Sequence, residues 1–294
     1  MIVHLSGRLL PIEQATISPL DRGFIFGDGV YEGLRAEQGR IISLPRHMAR
    51  LRRSLGLASI ESFDPESVEG IVSDVLEANG LTDAFIYFQI TRGTPPPGAP
   101  PRERRPSPSM RPTVFVYAQA EAPVRTFMRP RTTRAITHED HRWTMGHIKS
   151  ISLLSNVMAS IDASDAGADD AIFVRGERVT EATATNVFVV RDGRIATPSL
   201  DSASFLPGVT RDVLCEAAPE IEQRVVLRRE LEGAEEIFLT GTRTLVASVT
   251  HLDGRPVGAG RIGPVAERMV GVLRGAVAAY LSTVIAPEPA RTLP

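Results

Sequence analysis

Trp143-Thr144-Met145-Gly146-His147-Ile148-Lys149-Ser150-Ile151-Ser152-Leu153-Leu154-Ser155-Asn156 is the stretch on which the reading of this chain turns. Lys149 is the single lysine; the other 32 of the 33 basic residues are arginine. Such a bias can reflect base composition alone, and a stray surface lysine would then mean nothing. The chemical alternative is that a guanidinium stays protonated, whereas a desolvated lysine can become a neutral amine nucleophile. The flank decides between them. It is apolar and uncharged for several residues downstream, and burial favours the neutral form of an amine. Lys149 therefore reads as a nucleophile.

Glu181 lies 32 residues after Lys149, in Val179-Thr180-Glu181-Ala182-Thr183-Ala184-Thr185-Asn186-Val187-Phe188. Glu181 alone would pass for a solvated charge at a strand end. Leu206-Pro207-Gly208-Val209-Thr210-Arg211-Asp212 opens a helix, and the N–H groups of Val209 and Thr210 would be free helix donors. Such an N-terminus holds a phosphate. Thr240-Gly241-Thr242 ends a strand in a second small anion cradle. An amine, a carboxylate and two phosphate cradles together are what pyridoxal phosphate requires: lysine for the Schiff base, carboxylate for the pyridine nitrogen, cradles for the phosphate.

The composition bounds the remaining possibilities. The chain has 294 residues and a formal net charge of −2, without the basic surplus of a generic nucleic-acid binder. One cysteine, Cys215, allows no intrachain disulfide and suits a reducing compartment. Neither a signal peptide nor a membrane span is visible, so a cytoplasmic protein is expected. His138, His141 and His147 lack partners at metal-ligand spacing and read as structural, with no metal expected.

Phe24–Arg35 reads as extended. Helical spacing predicts helices over Arg46–Leu55 and from Val68 to a stop at Gly80, and again from Val265 to Tyr280. Strands are predicted at Phe85–Ile90, Thr113–Ala118, Ala171–Val174, Asn186–Val190 and Glu236–Thr240, with hairpin turns at Asp192-Gly193 and Asp253-Gly254. Eight prolines in 95–112 make Thr94–Pro112 a long loop. The expected division is a small domain over 1–118, a linker over 119–125 and a larger domain over 126–294. Ala286–Pro294 is expected to be a frayed tail.

The motifs, taken in order, resemble the fold-type IV pyridoxal-phosphate enzymes, which include D-amino-acid aminotransferases, branched-chain aminotransferases and aminodeoxychorismate lyases. The resemblance runs from Asp21-Arg22-Gly23 through Phe26-Gly27-Asp28-Gly29-Val30-Tyr31-Glu32-Gly33 and Arg46-His47-Met48-Ala49-Arg50-Leu51. It continues at Ile148-Lys149-Ser150, Thr180-Glu181 to Phe188, Gly208 to Arg211, and Thr240-Gly241-Thr242, covering about residues 4 to 280. It implies an α+β, two-domain architecture: a small α/β N-terminal domain and a larger C-terminal domain with a barrel-like sheet. It also implies a homodimer. Lys149 would be the Schiff-base lysine and proton shuttle, and Glu181 the partner of the pyridine nitrogen. Arg50, Val209, Thr210, Gly241 and Thr242 would hold the phosphate. Leu206 would pack on the cofactor ring, and Tyr31 would face the substrate. Pyridoxamine phosphate would be the intermediate form of the cofactor.

The chain departs from the family at one place. D-amino-acid aminotransferases of the best-known type carry an Arg-x-His carboxylate trap after Thr-Arg-Gly-Thr. Here Thr91-Arg92-Gly93-Thr94 is present, but Pro97 and Ala99 occupy the trap positions. Arg243 and Arg92 are the favoured substitutes by position; Arg22, Arg35, Arg102, Arg104 and Arg105 are the other candidates. Tyr31-Glu32-Gly33-Leu34-Arg35 meanwhile resembles the branched-chain subgroup. The expected activity is transfer of an amino group between a D-amino acid and a 2-oxo acid such as 2-oxoglutarate or pyruvate. A branched-chain L-aminotransferase and an aminodeoxychorismate-type lyase are the alternatives.

Overall fold

The computed structural model describes residues 1–285. Its first half builds a six-stranded antiparallel sheet. The elements are β1 (Ile2–Leu5), β2 (Arg8–Pro11), α1 (Arg22–Phe26), β3 (Gly29–Glu37), β4 (Arg40–Ile41), α2 (Leu44–Leu57), α3 (Val68–Ala78), β5 (Ala84–Thr91) and β6 (Thr113–Ala120). The strand order is β2-β1-β6-β5-β3-β4. Leu34, Ile86, Phe88 and Ile90 point from one face onto Leu51 of α2 and Val72 of α3, and all are essentially inaccessible to water. That burial is what fixes the two helices to the sheet.

The second half contributes β7 (Arg131–Glu139), α4 (Leu154–Asp165), β8 (Asp170–Arg175), β9 (Arg178–Ala182), β10 (Asn186–Arg191) and β11 (Arg194–Pro198). Then follow α5 (Val209–Ala217), β12 (Glu222–Arg224), α6 (Arg228–Glu232), β13 (Glu236–Gly241), β14 (Leu245–Leu252), β15 (Arg255–Pro256) and α7 (Pro264–Ile285). These strands form a nine-stranded mixed sheet, ordered β12-β11-β10-β13-β14-β7-β8-β9, with β15 on β14. The sheet curls until β9 meets the segment after β12: Val179 N–H donates to Val226 O and Arg178 bridges Leu227. The curl encloses Ile172, Val187, Leu239 and Val249. On its outside, stacked Phe188 and Phe238 rings, 4.7 Å apart, meet Met269 and Leu273 of α7.

The helices predicted from spacing are present, each slightly longer than or shifted from its predicted bounds. Asp192-Gly193 and Asp253-Gly254 are tight turns with positive φ at both residues (49° and 69°; 51° and 75°), the geometry that matches strand twist. Thr94–Pro112 contains neither helix nor strand. The reading of Phe24–Arg35 as extended is corrected. Arg22–Phe26 is a short helix, because the Asp21 side chain accepts from Gly23 N–H and Gly27, at φ 66°, stops it. Local capping outweighs the aromatic β preference there. β6 also runs to Ala120, two residues into the expected linker. Ala286–Pro294 lies outside the described residues.

Candidate active site

Lys149 belongs in sequence to the second half but is hydrogen-bonded to the first. Its carbonyl accepts from Tyr31 N–H at 3.0 Å, and its own N–H donates to Ser54 Oγ at 3.2 Å. Ser150 bridges to Val30, and Ile151 N–H donates to Gly29 O at 3.1 Å. This close seam needs glycine at 29: a Cβ there would stand 2.7 Å from Ile90 O and 2.9 Å from Ile151 Cδ1. The Lys149 amine then lies 4.2 Å from the centre of the Tyr31 ring. No carboxylate pairs with it among the described residues.

Glu181 sits at the end of β9 and is buried. Burial pushes its carboxyl above the ordinary range, while Arg142 pulls the other way. Arg142 Nη1 donates to Glu181 Oε1 at 2.7 Å, and Leu206 N–H to Oε2 at 3.3 Å. Arg142 in turn is held by Asp140 at 2.9 Å and lies over the Phe173 ring at 4.1 Å. Asp140 is also bonded by Arg175 and Thr180. Burial opposes its charge, but the two guanidiniums outweigh burial and keep its carboxyl below the ordinary value. The carboxylate of Glu181 is thus fixed in orientation by a guanidinium that is itself fixed.

Arg50 lies on the buried face of α2. Its Nε and Nη2 donate to the two oxygens of Glu32, at 2.8 and 2.7 Å, and Nη1 donates to Pro207 O at 2.9 Å. A guanidinium has five N–H groups, so two remain. His47 Nδ1 also meets Glu32, at 2.8 Å. Burial would raise the Glu32 carboxyl, but Arg50 and His47 more than reverse this and take it from 4.5 to about 2. The sign follows. A carboxyl lowered in the folded state stabilises the fold above its ordinary value, and that contribution is lost as pH falls from 4.5 toward 2. It is of order 3 kcal/mol. Urea unfolding should show a marked loss of stability from about pH 5 to about pH 3 in the wild type and a much smaller one in Glu32→Gln. Equal acid sensitivity in both would contradict the pairing.

Pro207 leads into Gly208, which begins α5 without a side-chain cap. A Cβ at Gly208 would fall 1.9 Å from Asn186 Oδ1, so only glycine lets Asn186 approach and donate to Leu206 O at 3.0 Å. The first N–H groups of α5 have no partner four residues back, and they open beside Arg50. The Thr240–Thr242 turn faces them, and Thr240 Oγ1 is buried without a partner.

Lys149, Tyr31, Arg50, Glu181, Leu206, Val209, Thr210, Gly241 and Thr242 all line one cavity of about 660 Å³ between the two sheets. The four arginines expected at the substrate do not line it. Arg92 gives its donors to Asp28 and to the Ala58 and Ser59 carbonyls. Arg22 is spent on Asp28 and the Glu103 and Arg104 carbonyls. Arg35 bonds the Ala122 and Thr242 carbonyls. Arg243 pairs with Glu121 and packs on Phe85. Pro97 and Ala99 are also absent from its walls. Sequence reasoning missed Arg142, Glu32, Asn186 and Phe26. Arg142 sits only seven residues before Lys149, a signal submerged among 32 arginines. His138 bonds Asp162, His147 bonds Ser204, and no metal-holding cluster exists among the described residues.

A lysine amine, an oriented carboxylate and the uncapped start of α5 beside Arg50 share one cleft, a set suited to amine chemistry on a phosphorylated cofactor or substrate. The model of the amino-transferase class IV family matches residues 29–252. The D-alanine aminotransferase of Staphylococcus haemolyticus is 32% identical over 278 residues, covering 91% of this chain and 94% of that protein. A putative branched-chain-amino-acid aminotransferase of Methanocaldococcus jannaschii is 32% identical over 280 residues, covering 92% and 94%. Among solved structures, the branched-chain aminotransferase from the thermophilic archaeon Thermoproteus uzoniensis, with norvaline, superposes with a TM-score of 0.80 at 25% identity, covering 96% and 97%. The chain belongs to the class IV aminotransferases.

Proposed function

We propose that this aminotransferase holds pyridoxal 5'-phosphate between its two sheets and moves the amino group of a D-amino acid to a 2-oxo acid. The observation that carries the reading is the convergence of Lys149, Glu181 and Arg50 on one cavity. The residues present fit the cofactor. Arg50 has two N–H groups to spare, α5 opens uncapped beside it, and the partnerless Thr240 hydroxyl lies in the same wall. The preference for D-donors rests on the D-alanine aminotransferases among the relatives.

Arg50, Val209, Thr210 and Thr242 would hold the phosphate, and Leu206 would cover the ring. Bound there, pyridoxal phosphate supplies an aldehyde for the amino group and a ring that takes up the electron pair left by the α-proton. Glu181, its carboxylate held in place by Arg142, would favour a proton on the ring nitrogen. The Lys149 amine takes the α-proton at Nζ and returns it. Tyr31, packed against that amine, limits where it can swing. Cytoplasmic location accords with the single cysteine, and no helix among the described residues is long and apolar enough to cross a membrane.

Mixing the holoenzyme with D-alanine or D-glutamate should bleach the cofactor's visible absorbance, and 2-oxoglutarate should restore it. A response to L-leucine alone would replace this reading with the branched-chain one, which the M. jannaschii relative and the Tyr31–Arg35 motif favour.

The homodimer belongs to the same proposal. On α4, small Ala159 and Ala163 face inward, while Leu154, Val157, Met158 and Ile161 form an outer stripe, each more than half exposed (52–73%). The spacing is that of one helix face, and an apolar face of this kind suits a second copy. The wild type should sediment at twice its 31.9 kDa, and Val157→Glu with Ile161→Glu should halve that mass. A monomeric wild type would end the proposal.

A further inference from the structure

The proline-rich loop sets one arginine against the ring of a residue that lines the cavity. Phe26 forms part of the cavity wall. Two guanidiniums pack against its ring, Arg22 at 4.7 Å and Arg102 at 5.4 Å. They differ in their pairing. Arg22 is buried and bonded to Asp28, and its other donors hold the Glu103 and Arg104 carbonyls. That latch fixes the loop directly beside Arg102. Arg102 is exposed and has no carboxylate partner among the described residues. Its neighbour Glu103 accepts from Arg105 N–H. Arg50, Arg142, Arg92 and Arg243 are all committed to carboxylates. Arg22 and Arg92 share Asp28.

We propose that Arg102 is a specificity-determining residue that receives the distal carboxylate of dicarboxylic substrates at the rim of the cavity. The proposal rests on the aminotransferase reading above and names the substrate class it selects. The amine and the phosphate cradle lie within the cavity, where the α-carbon must go. Arg102 meets the cavity only through Phe26, so it suits the far end of a diacid rather than the group next to the α-carbon. A planar fork suits a carboxylate, and the Phe26 ring supports the fork while leaving its edge free. The latch makes this site available without ordering a free loop at each turnover.

The test titrates the bleaching of the holoenzyme's visible absorbance by D-glutamate and by D-alanine. Arg102→Ala should raise the half-saturating concentration of D-glutamate about tenfold relative to that of D-alanine, the scale of one lost charge-assisted hydrogen bond. Arg102→Lys should recover part of the difference. An equal shift for both donors would assign Arg102 to the α-carboxylate and overturn the proposal. So would no shift, or a wild type that glutamate does not saturate. If the wild type responds only to L-donors, the D-specific reading fails separately, and L-glutamate against L-leucine reads Arg102 by the same criterion.

Discussion

Lys149→Ala should abolish transamination while leaving the fold and the cofactor site standing. The variant removes the one amine in the cavity. The backbone bonds that set residue 149, to Tyr31 and Ser54, involve only main-chain atoms of that residue and survive. No buried carboxylate is left unpaired, since none pairs with the amine among the described residues. Arg50 and the start of α5 are untouched. The loss should be about 10⁴-fold in kcat, the upper range for removing a positioned proton carrier. Single-turnover absorbance changes on adding D-alanine measure it directly. With only one lysine in the chain, borohydride reduction of the wild-type holoenzyme should fix the cofactor to a single side chain, and to none in the variant. Activity within tenfold of the wild type would remove Lys149 from the mechanism.

Glu181→Gln should lower kcat about 10²- to 10³-fold, the scale of losing one preorganised electrostatic partner. Glutamine keeps the shape of the side chain and its one amide oxygen can still accept from Arg142, losing only the longer bond from Leu206 N–H, so the pocket should not collapse. Arg142 retains Asp140 at 2.9 Å, so no buried cation is stranded. What is lost is the negative charge that would keep a proton on the ring nitrogen. The effect should fall on kcat rather than on the donor's KM. A kcat within threefold of the wild type would mean that Glu181 does not serve the cofactor ring.

Local patterns were legible where local physics decides. The Val68–Ala78 helix followed from apolar spacing, and the Asp-Gly hairpins from turn chemistry. Lys149 stood out because its type is unique and its flank uncharged. The arginines could not be resolved in this way. Whether a guanidinium is free depends on which carboxylate folds against it, and Asp28, Glu32, Glu121 and Asp140 come from separate segments of the chain. Arg92 and Arg243 looked available by position and are engaged by neighbours distant in sequence. Glu32 was hidden for a related reason. It lies within the strand Gly29–Glu37, nearly all of which is buried, and only the arrival of α2 turns it into the anchor of Arg50. Phe24–Arg35 failed because one aspartate cap and one left-handed glycine reset the chain within a few residues.

The bonding of Lys149 to β3 and α2 divides the chemistry between two layers. The amine is positioned by the six-stranded sheet and its helix, and the carboxylate of Glu181 by the nine-stranded one. The separation of Lys149 from Glu181 therefore depends on how the two sheets are seated on each other, and a shift in that seating would alter it without disturbing a single contact inside either layer. Mutations, tethers or hydrostatic pressure acting on the seam could thus change turnover from far outside the cavity, and stiffness across that boundary is a quantity on which selection for rate can act.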